Sequence, residues 1–449
     1  MSTGIQPAIS FSGYPWPGTI DQMGSRNLAR RLCQAMVLLP LFSLILLPEY
    51  VQGLGDPETK SIVYRGTMGP LRVVDALLLV IIVAHGIAWV SSRQRRMHFP
   101  RVLASPGLGF LAAIAVAMTY GWLQGGTNLF FDWRALALGI GMYGVFAMWV
   151  HTPAETSSAV HLFAAYMALR IGLIYASFLG GSGDVIAGVR IPLFDGPTLS
   201  TIVFTAVLAS WMCDHAHGRW RKMLWMSLSA TAYLLVLLCI RRTFWAELGA
   251  ATGLLLLLQK HKRRRKLLLA SAAVATVAIT LGPVFYQRMQ SLDFTTGESA
   301  FSQGNPDHVG EVLDAWEQVR RQPVLGIGLG RSYPTLRIQE WKEESVMVHN
   351  APLHVWLKYG LIGLAFYVWF HFAVFRWLFW RHRALLPEDQ VWPGAALVYL
   401  AAQFAVSLGF TPWPYSSVQS TTLIAFVLAV AITGTAQCKL RQSPLLPLR

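Results

Sequence analysis

The sequence has few charged residues and few cysteines, and each of these scarcities narrows the class of protein. Only 13% of the 449 residues are charged, 54% are hydrophobic, and the mean hydropathy is +0.45. Soluble domains carry about 25% charged residues, so this composition excludes an ordinary soluble protein. The four cysteines (Cys33, Cys213, Cys239 and Cys438) lie near predicted helix ends without metal-ligand spacing. We therefore expect neither a disulfide nor a zinc site.

Metal-binding motifs are also missing. The chain has no Asp-X-Asp motif and no group of His and Cys residues with recognisable metal-ligand spacing. These are the groups that commonly hold magnesium, calcium or zinc in proteins. The sequence therefore predicts chemistry that uses no metal and no cofactor.

Apolar segments of membrane-spanning length are abundant. A bilayer is crossed by about 20 apolar residues in a helix, and this length predicts about twelve transmembrane helices. The segments lie near 32–51, 71–91, 103–123, 135–151, 157–179, 196–213, 223–240, 243–258, 267–285, 355–380, 391–409 and 417–437. We predict an all-α polytopic membrane protein in which residues 1–449 form one integral membrane domain. The first helix is predicted to stay as an anchor, because no signal-peptide cleavage site follows it.

The net charge of +15 comes from short basic runs between the apolar segments, such as Lys260 to Lys266. Such runs are typical of cytoplasmic flanks in contact with membrane lipids and do not indicate nucleic-acid binding. Their alternation along the chain predicts cytoplasmic N and C termini. The loops without basic runs are then expected to face outward.

One outer loop, residues 286–350 between predicted helices nine and ten, is long enough to hold structure outside the bilayer. Asp307 is expected to cap a helix there, and Pro323 to end it. Its apolar positions are Val309, Val312, Leu313, Trp316 and Val319, and its charged positions are Glu311, Asp314, Glu317 and Arg320. We interpret it as a surface helix whose charged face lies in solvent.

Arginines occur on the outer side, where basic residues are disfavoured. Arg190 lies between predicted helices five and six, and Arg241 and Arg242 lie where helices seven and eight meet. Arg190 could instead reach the membrane surface or pair with Asp184 or Asp195. Converging guanidinium groups make a good clamp for a diphosphate, so we interpret the arginines as ligand-binding residues.

His349 lies just before an apolar helical run. Asn350 is predicted to cap that helix, with Pro352 in its first turn. The positive end of a helix disfavours imidazolium and favours a nearby anion. His349 is therefore a candidate base, although a lone histidine is more often structural.

The segment Gly326-Ile327-Gly328-Leu329-Gly330 lacks the preceding strand and the spacing of a dinucleotide-binding motif. We interpret it as a flexible loop that shapes the mouth of a site, with Arg331 adding charge or facing water. Inside the predicted spans, ionisable residues must pair or line a transport path. They are Asp75, His85, Arg170 and Glu247.

Together these motifs resemble the O-antigen ligase and polymerase superfamily. The resemblance covers roughly residues 242–364. It rests on the order of four motifs: Arg242-Thr243-Phe244-Trp245, the glycine-rich segment, His349-Asn350 and Leu357-Lys358-Tyr359-Gly360-Leu361-Ile362-Gly363-Leu364.

The resemblance implies a fold similar to that of GT-C glycosyltransferases and an active site facing the periplasm from the bacterial inner membrane. It implies transfer of a glycan from undecaprenyl diphosphate to a sugar hydroxyl of the lipid A core, with inversion and without nucleotide sugar or metal. His349 would be the base, and Arg190 with Arg242 or Arg241 would bind the diphosphate. Asn350, Arg331 and Trp245 are further candidate contacts. A polymerase, with a lipid-linked glycan as acceptor, and a secondary transporter remain alternatives.

Overall fold

The computed structural model of the protein describes residues 25–46, 67–68, 71–91, 99–186, 189–192, 196–239, 242–259, 306–337, 344–345, 348–386, 389–408, 417–436 and 438. This part of the chain is mostly helical, as predicted. Its helices are α1 (Ser25–Leu46), α2 (Val73–Ser91), α3 (Arg101–Leu123), α4 (Leu129–Trp149), α5 (Pro153–Leu179), α6 (Gly196–His215), α7 (Arg219–Leu238), α8 (Arg242–Leu258), α9 (Pro306–Arg321), α10 (Ala351–Ala384), α11 (Val391–Ser407) and α12 (Val418–Ile432). Antiparallel hairpins join β1 (Thr67–Met68) to β2 (Leu71–Arg72), β3 (Asp184–Ile186) to β4 (Val189–Ile191), and β5 (Tyr333–Pro334) to β6 (Glu344–Ser345).

Eleven of the predicted transmembrane segments coincide with helices in the described part of the chain. The ninth, residues 267–285, and residues 286–305 of the outer loop lie outside it. Of the described helices, five are long and apolar enough to cross a membrane: α2, α3, α5, α6 and α10. Shorter apolar helices lie at Thr243–Leu258, Val391–Ser407 and Val418–Ile432. The count of twelve spans, their orientation and the periplasmic position of the loop stay predictions.

Polar residues fix the turn between α4 and α5 to the first helix. Thr152 and Glu155 form a capping box, in which the Glu155 carboxylate accepts from the Thr152 N–H at 3.0 Å. Arg30 pairs with the same carboxylate. Gln34 donates to the carbonyl oxygens of Trp149 at 2.7 Å and of Glu155 at 2.9 Å. These contacts satisfy backbone groups that a helix start and end leave free, so α1 is held against α5.

The directions of α6, α10 and α11 follow from contacts near their ends. The hydroxyl oxygens of Ser200, near the start of α6, and Tyr399, in the middle of α11, are 3.1 Å apart. At the other end of α6, Trp211 packs on Gly394, near the start of α11, and on the ring of His382, near the end of α10. The starts of α6 and α10 therefore lie at the same end of the bundle as the end of α11.

Helix α8 begins at that end too. The Ser200 hydroxyl donates to Glu247, in the second turn of α8, at 3.1 Å. Trp245 donates to the carbonyl oxygen of Leu237, at the end of α7, at 3.3 Å. We call the end at which α6, α8 and α10 begin and α11 ends the site end.

The ionisable residues predicted inside the spans each contact a polar group on another helix. The contacts are Asp75 to Arg134 at 3.0 Å, Trp149 to His85 at 3.0 Å, Arg170 to Thr198 at 2.7 Å and Gln403 to Glu247 at 2.7 Å. A buried charged or polar group is costly without such a partner. The sequence allowed these residues either to pair between helices or to line a transport path. The contacts show that they pair between helices.

Candidate functional site

The start of α10 has the capping geometry that the sequence predicts. Asn350 is the N-cap and its side-chain oxygen accepts from the Leu353 N–H at 3.0 Å, with Pro352 in the first turn. The Asn350 amide also donates to the carbonyl oxygen of Leu408 at 3.0 Å. Asn350 thus links the start of α10 to the end of α11 at the site end.

His349 precedes this cap and bonds to a carboxylate on α9. Its Nδ1 lies 3.0 Å from Oε2 and 3.1 Å from Oε1 of Glu311. The His349 side chain is 26% exposed, whereas that of Glu311 is 0% exposed. A carboxylate can only accept, so the ring donates to it through Nδ1–H.

Helix α9 reaches this position because a small apolar cluster docks it on the first turns of α10. The cluster consists of Ala315, Val319, Ile327, Tyr333, Val348, Leu353 and Leu357. At its edge the rings of Trp316 and Trp356 pack edge to face, with their centroids 5.4 Å apart. Burial of this apolar surface stabilises the position of α9 over the start of α10.

The predicted solvated face of α9 is wrong for two of its residues. Glu311 and Asp314 are 0% and 3% exposed. Asp314 accepts from the Arg337 N–H at 3.0 Å and pairs with its guanidinium. Conversely, Leu313 and Trp316, at two of the predicted apolar positions, are 47% and 42% exposed. The helix is therefore rotated so that its carboxylates point at polar partners within the protein.

The glycine-rich segment 326–330 is buried and bonded to two helices. The Ile327 N–H donates to the carbonyl oxygen of Leu357 on α10 at 2.7 Å. The Leu329 N–H donates to the carbonyl oxygen of Ala117 on α3 at 3.0 Å. The interpretation as a flexible loop is wrong, because the segment is a packed connection between α3 and α10.

Glycine is required where this segment meets the helices. Gly328 has a φ of 85°, and a Cβ there would lie 2.5 Å from the Cα of Gly121. Gly360 kinks α10 with a φ of 69°, and a Cβ there would lie 2.0 Å from the carbonyl oxygen of Val324. Only a residue without a side chain permits both the conformation and the close approach.

A buried ion pair also holds the glycine-rich segment in place. The Lys358 ammonium lies 2.8 Å from Oδ2 of Asp132, which also accepts from the Gly330 N–H at 2.8 Å. The two side chains are 0% and 5% exposed. Lys358 also donates to the carbonyl oxygen of Arg331. The backbone of Arg331, a predicted substrate contact, is therefore held against α10 near the start of that helix.

Arg190 lies on β4, in the hairpin that precedes α6. Its Nη1 donates to the carbonyl oxygen of Gly181 at 2.7 Å, and its guanidinium lies 5.7 Å from the centre of the Phe178 ring. The side chain is exposed. The guanidinium is therefore accessible from solvent near the start of α6, which places it at the site end.

Of the two adjacent arginines predicted to bind the diphosphate, the structure describes one. Arg241 lies outside the described residues, and Arg242 is the first residue of α8. Trp245 follows one turn later, and its indole is used in the bond to Leu237. The backbone of Arg242 thus lies at the site end.

The contacts bring His349 and Glu311 together. The helix directions place the hairpin that holds Arg190 and the start of α8, with Arg242, at the site end as well. Sequence reasoning did not find Glu311, Asp132 or Lys358 as partners. Lys358 carried a usable signal, since an isolated lysine in an apolar helix needs a buried partner. That partner is 226 residues away in the sequence, so spacing could not identify it.

These features define a helical membrane protein with a polar site where several helices begin. Residues 226–368, about a third of the chain, match a family model described as O-Antigen ligase. The match runs from α7 through the first half of α10 and includes His349, Glu311 and the glycine-rich segment. It confirms the resemblance of this region to the O-antigen ligase and polymerase superfamily.

The match supports an O-antigen ligase-type function in the broad sense. It implies a glycosyltransferase-like enzyme and lipid-linked glycan substrates in a membrane setting. No curated protein was found to match the chain.

Proposed function

We propose that this protein is an O-antigen ligase in the bacterial inner membrane, with its active site facing the periplasm. It transfers a glycan from undecaprenyl diphosphate to a sugar hydroxyl of the lipid A core. The observation that carries this proposal is the partly exposed His349 ring at the start of α10, within the region matched by the family. Its Nδ1 bonds to Glu311, and we assign the contact with the acceptor to Nε2.

The chemistry needs a base and a stabilised leaving group. Nε2 of His349 takes the proton of the acceptor hydroxyl as its oxygen bonds to the anomeric carbon. The bond from that carbon to the diphosphate breaks, and its electron pair leaves with the phosphate oxygen. Attack opposite the leaving group inverts the anomeric centre. The energy for the new bond comes from the donor, so no nucleotide is consumed.

Arginines at the site end are proposed to hold the diphosphate. The exposed guanidinium of Arg190 uses Nη1 on Gly181, and its other N–H groups can donate to phosphate oxygens. Arg242 or Arg241 supplies the second cation from the start of α8, next to a helix N-terminus that also favours an anion. Neutralising the charge that develops on the diphosphate lowers the barrier to its departure.

We expect Arg190→Lys to reduce kcat/KM for glycan transfer. An ammonium cannot reproduce the planar fork of a guanidinium on two phosphate oxygens. Loss of one charged hydrogen bond costs about 1.5–3 kcal/mol, which corresponds to about 10- to 150-fold in rate. The measurement is transfer from purified lipid-linked glycan to purified lipid A core in proteoliposomes.

Arg321→Lys is the matched control for this variant. Arg321 is exposed at the end of α9, where it pairs with Glu317, so the change should leave transfer unaltered. Full transfer by both Arg190→Lys and Arg242→Lys would remove the arginine clamp from the mechanism.

The same reconstituted system separates ligase, polymerase and transporter. A ligase is expected to extend lipid A core but not to lengthen the lipid-linked glycan when that is the only acceptor. Growth of the lipid-linked chain without lipid A core would indicate a polymerase. Movement of the lipid-linked glycan across the bilayer without transfer would indicate a transporter and would reject the proposed function.

A further inference from the structure

We propose that Glu311 is a positioning residue for His349, which holds Nδ1 of the ring and thereby aims Nε2 at the acceptor hydroxyl. The inference rests on the proposed function, because it requires His349 to be the base. It assigns a catalytic contribution to a residue of α9 that touches no substrate.

The geometry of the His349–Glu311 contact indicates that Glu311 positions the ring and is not merely its partner in a surface ion pair. Both carboxylate oxygens of Glu311 lie close to Nδ1, at 3.0 and 3.1 Å. Glu311 is 0% exposed while His349 is 26% exposed, so the carboxylate lies within the protein and part of the histidine side chain reaches solvent. The ring is thus held from within the protein and presented outward.

Helix α9 is fixed well enough to set the position of this carboxylate. Ala315 and Val319 are buried against the first turns of α10. One turn from Glu311, Asp314 bonds to the backbone and the guanidinium of Arg337. A rigid element allows Glu311 to restrain the ring with little loss of entropy at the moment of reaction.

A carboxylate at Nδ1 has two consequences for a base. It selects the tautomer in which Nε2 carries the lone pair, because it can only accept a hydrogen bond. It also stabilises the cation that forms when the ring takes the acceptor proton, and the carboxylate of a serine-protease triad acts in the same way. Removing the negative charge while keeping the shape should therefore slow transfer and leave donor binding intact.

We expect Glu311→Gln to lower kcat for transfer by about 10- to 100-fold, the loss typical when a group that orients a metal-binding histidine is removed. The dissociation constant of the lipid-linked donor should stay within about 2-fold of the original, because the arginines bind the diphosphate. Glu317→Gln is the matched control. It lies on the same helix with 43% of its side chain exposed, so transfer should not change.

A double variant distinguishes positioning from general support of the fold. In the His349→Gln background, Glu311→Gln should cause no further loss of the residual kcat, because Glu311 acts through the ring. Equal fold losses in the two backgrounds would overturn the proposal, as would an unchanged kcat in Glu311→Gln alone.

The tautomer can be measured without changing Glu311. Solid-state NMR of protein containing ¹⁵N-histidine, with His349 assigned by its absence in His349→Gln, should show the neutral ring protonated on Nδ1. A neutral ring protonated on Nε2 would overturn the proposal even if Glu311→Gln failed to fold.

Failure of the inference is separable from failure of the proposed function. If His349→Gln loses transfer while Glu311→Gln keeps it, His349 remains the base and only the role of Glu311 is rejected. If His349→Gln keeps normal transfer, the base assignment itself is wrong, and the role of Glu311 falls with it.

Discussion

Replacing His349 with glutamine is expected to reduce glycan transfer by about 10²- to 10⁴-fold, the contribution of a positioned general base. Glutamine has nearly the same size and can bond to Glu311, but it has no basic nitrogen. A sugar hydroxyl is a poor nucleophile while it keeps its proton, so the loss should appear in kcat. Donor binding should remain, and it can be measured by titration of the purified variant with lipid-linked glycan.

His217→Gln is a suitable control for this experiment. His217 is exposed in the turn between α6 and α7, at the opposite end of the bundle from His349. It should retain full transfer. Near-normal transfer by His349→Gln would leave this histidine with a structural role at the start of α10.

Replacing Lys358 with methionine is expected to lower the free energy of unfolding by about 3–5 kcal/mol, because it leaves a buried partner charge unpaired. That partner is Asp132, whose oxygen also accepts from the Gly330 N–H. The variant should therefore loosen the glycine-rich connection between α3 and α10. The measurement is unfolding of the purified protein in mixed micelles against SDS concentration.

Two further variants test the cause of this loss. Adding Asp132→Asn should recover part of the stability, since the amide removes the unpaired charge and leaves the backbone bond possible. Arg321→Met breaks the exposed pair with Glu317 and should cost only about 0.2–1 kcal/mol. Equal stability of Lys358→Met and Arg321→Met would show that the buried pair does not hold the connection.

The start of α10 could be predicted because its signals are local. Asn350 and Pro352 are neighbours in the chain, and each acts on backbone groups within one turn. The orientation of α9 could not be predicted in the same way. Helical spacing separates its charged and apolar positions, but which of them is buried depends on what the helix docks against.

The sequence by itself determined a helical protein of the membrane with its helices near the predicted positions. In lipid, backbone groups must be satisfied within the segment, so a long apolar run has one main structural solution. It also showed the resemblance to the O-antigen ligase and polymerase superfamily, through motifs whose order along the chain is readable without a structure.

Only the tertiary structure decided which polar groups meet. Glu311 joins His349 across 38 residues, and Lys358 joins Asp132 across 226. These partners are fixed by how α9 and the glycine-rich segment pack on α3 and α10. Packing brings together residues at any separation, whereas sequence spacing reports only on neighbours along one helix.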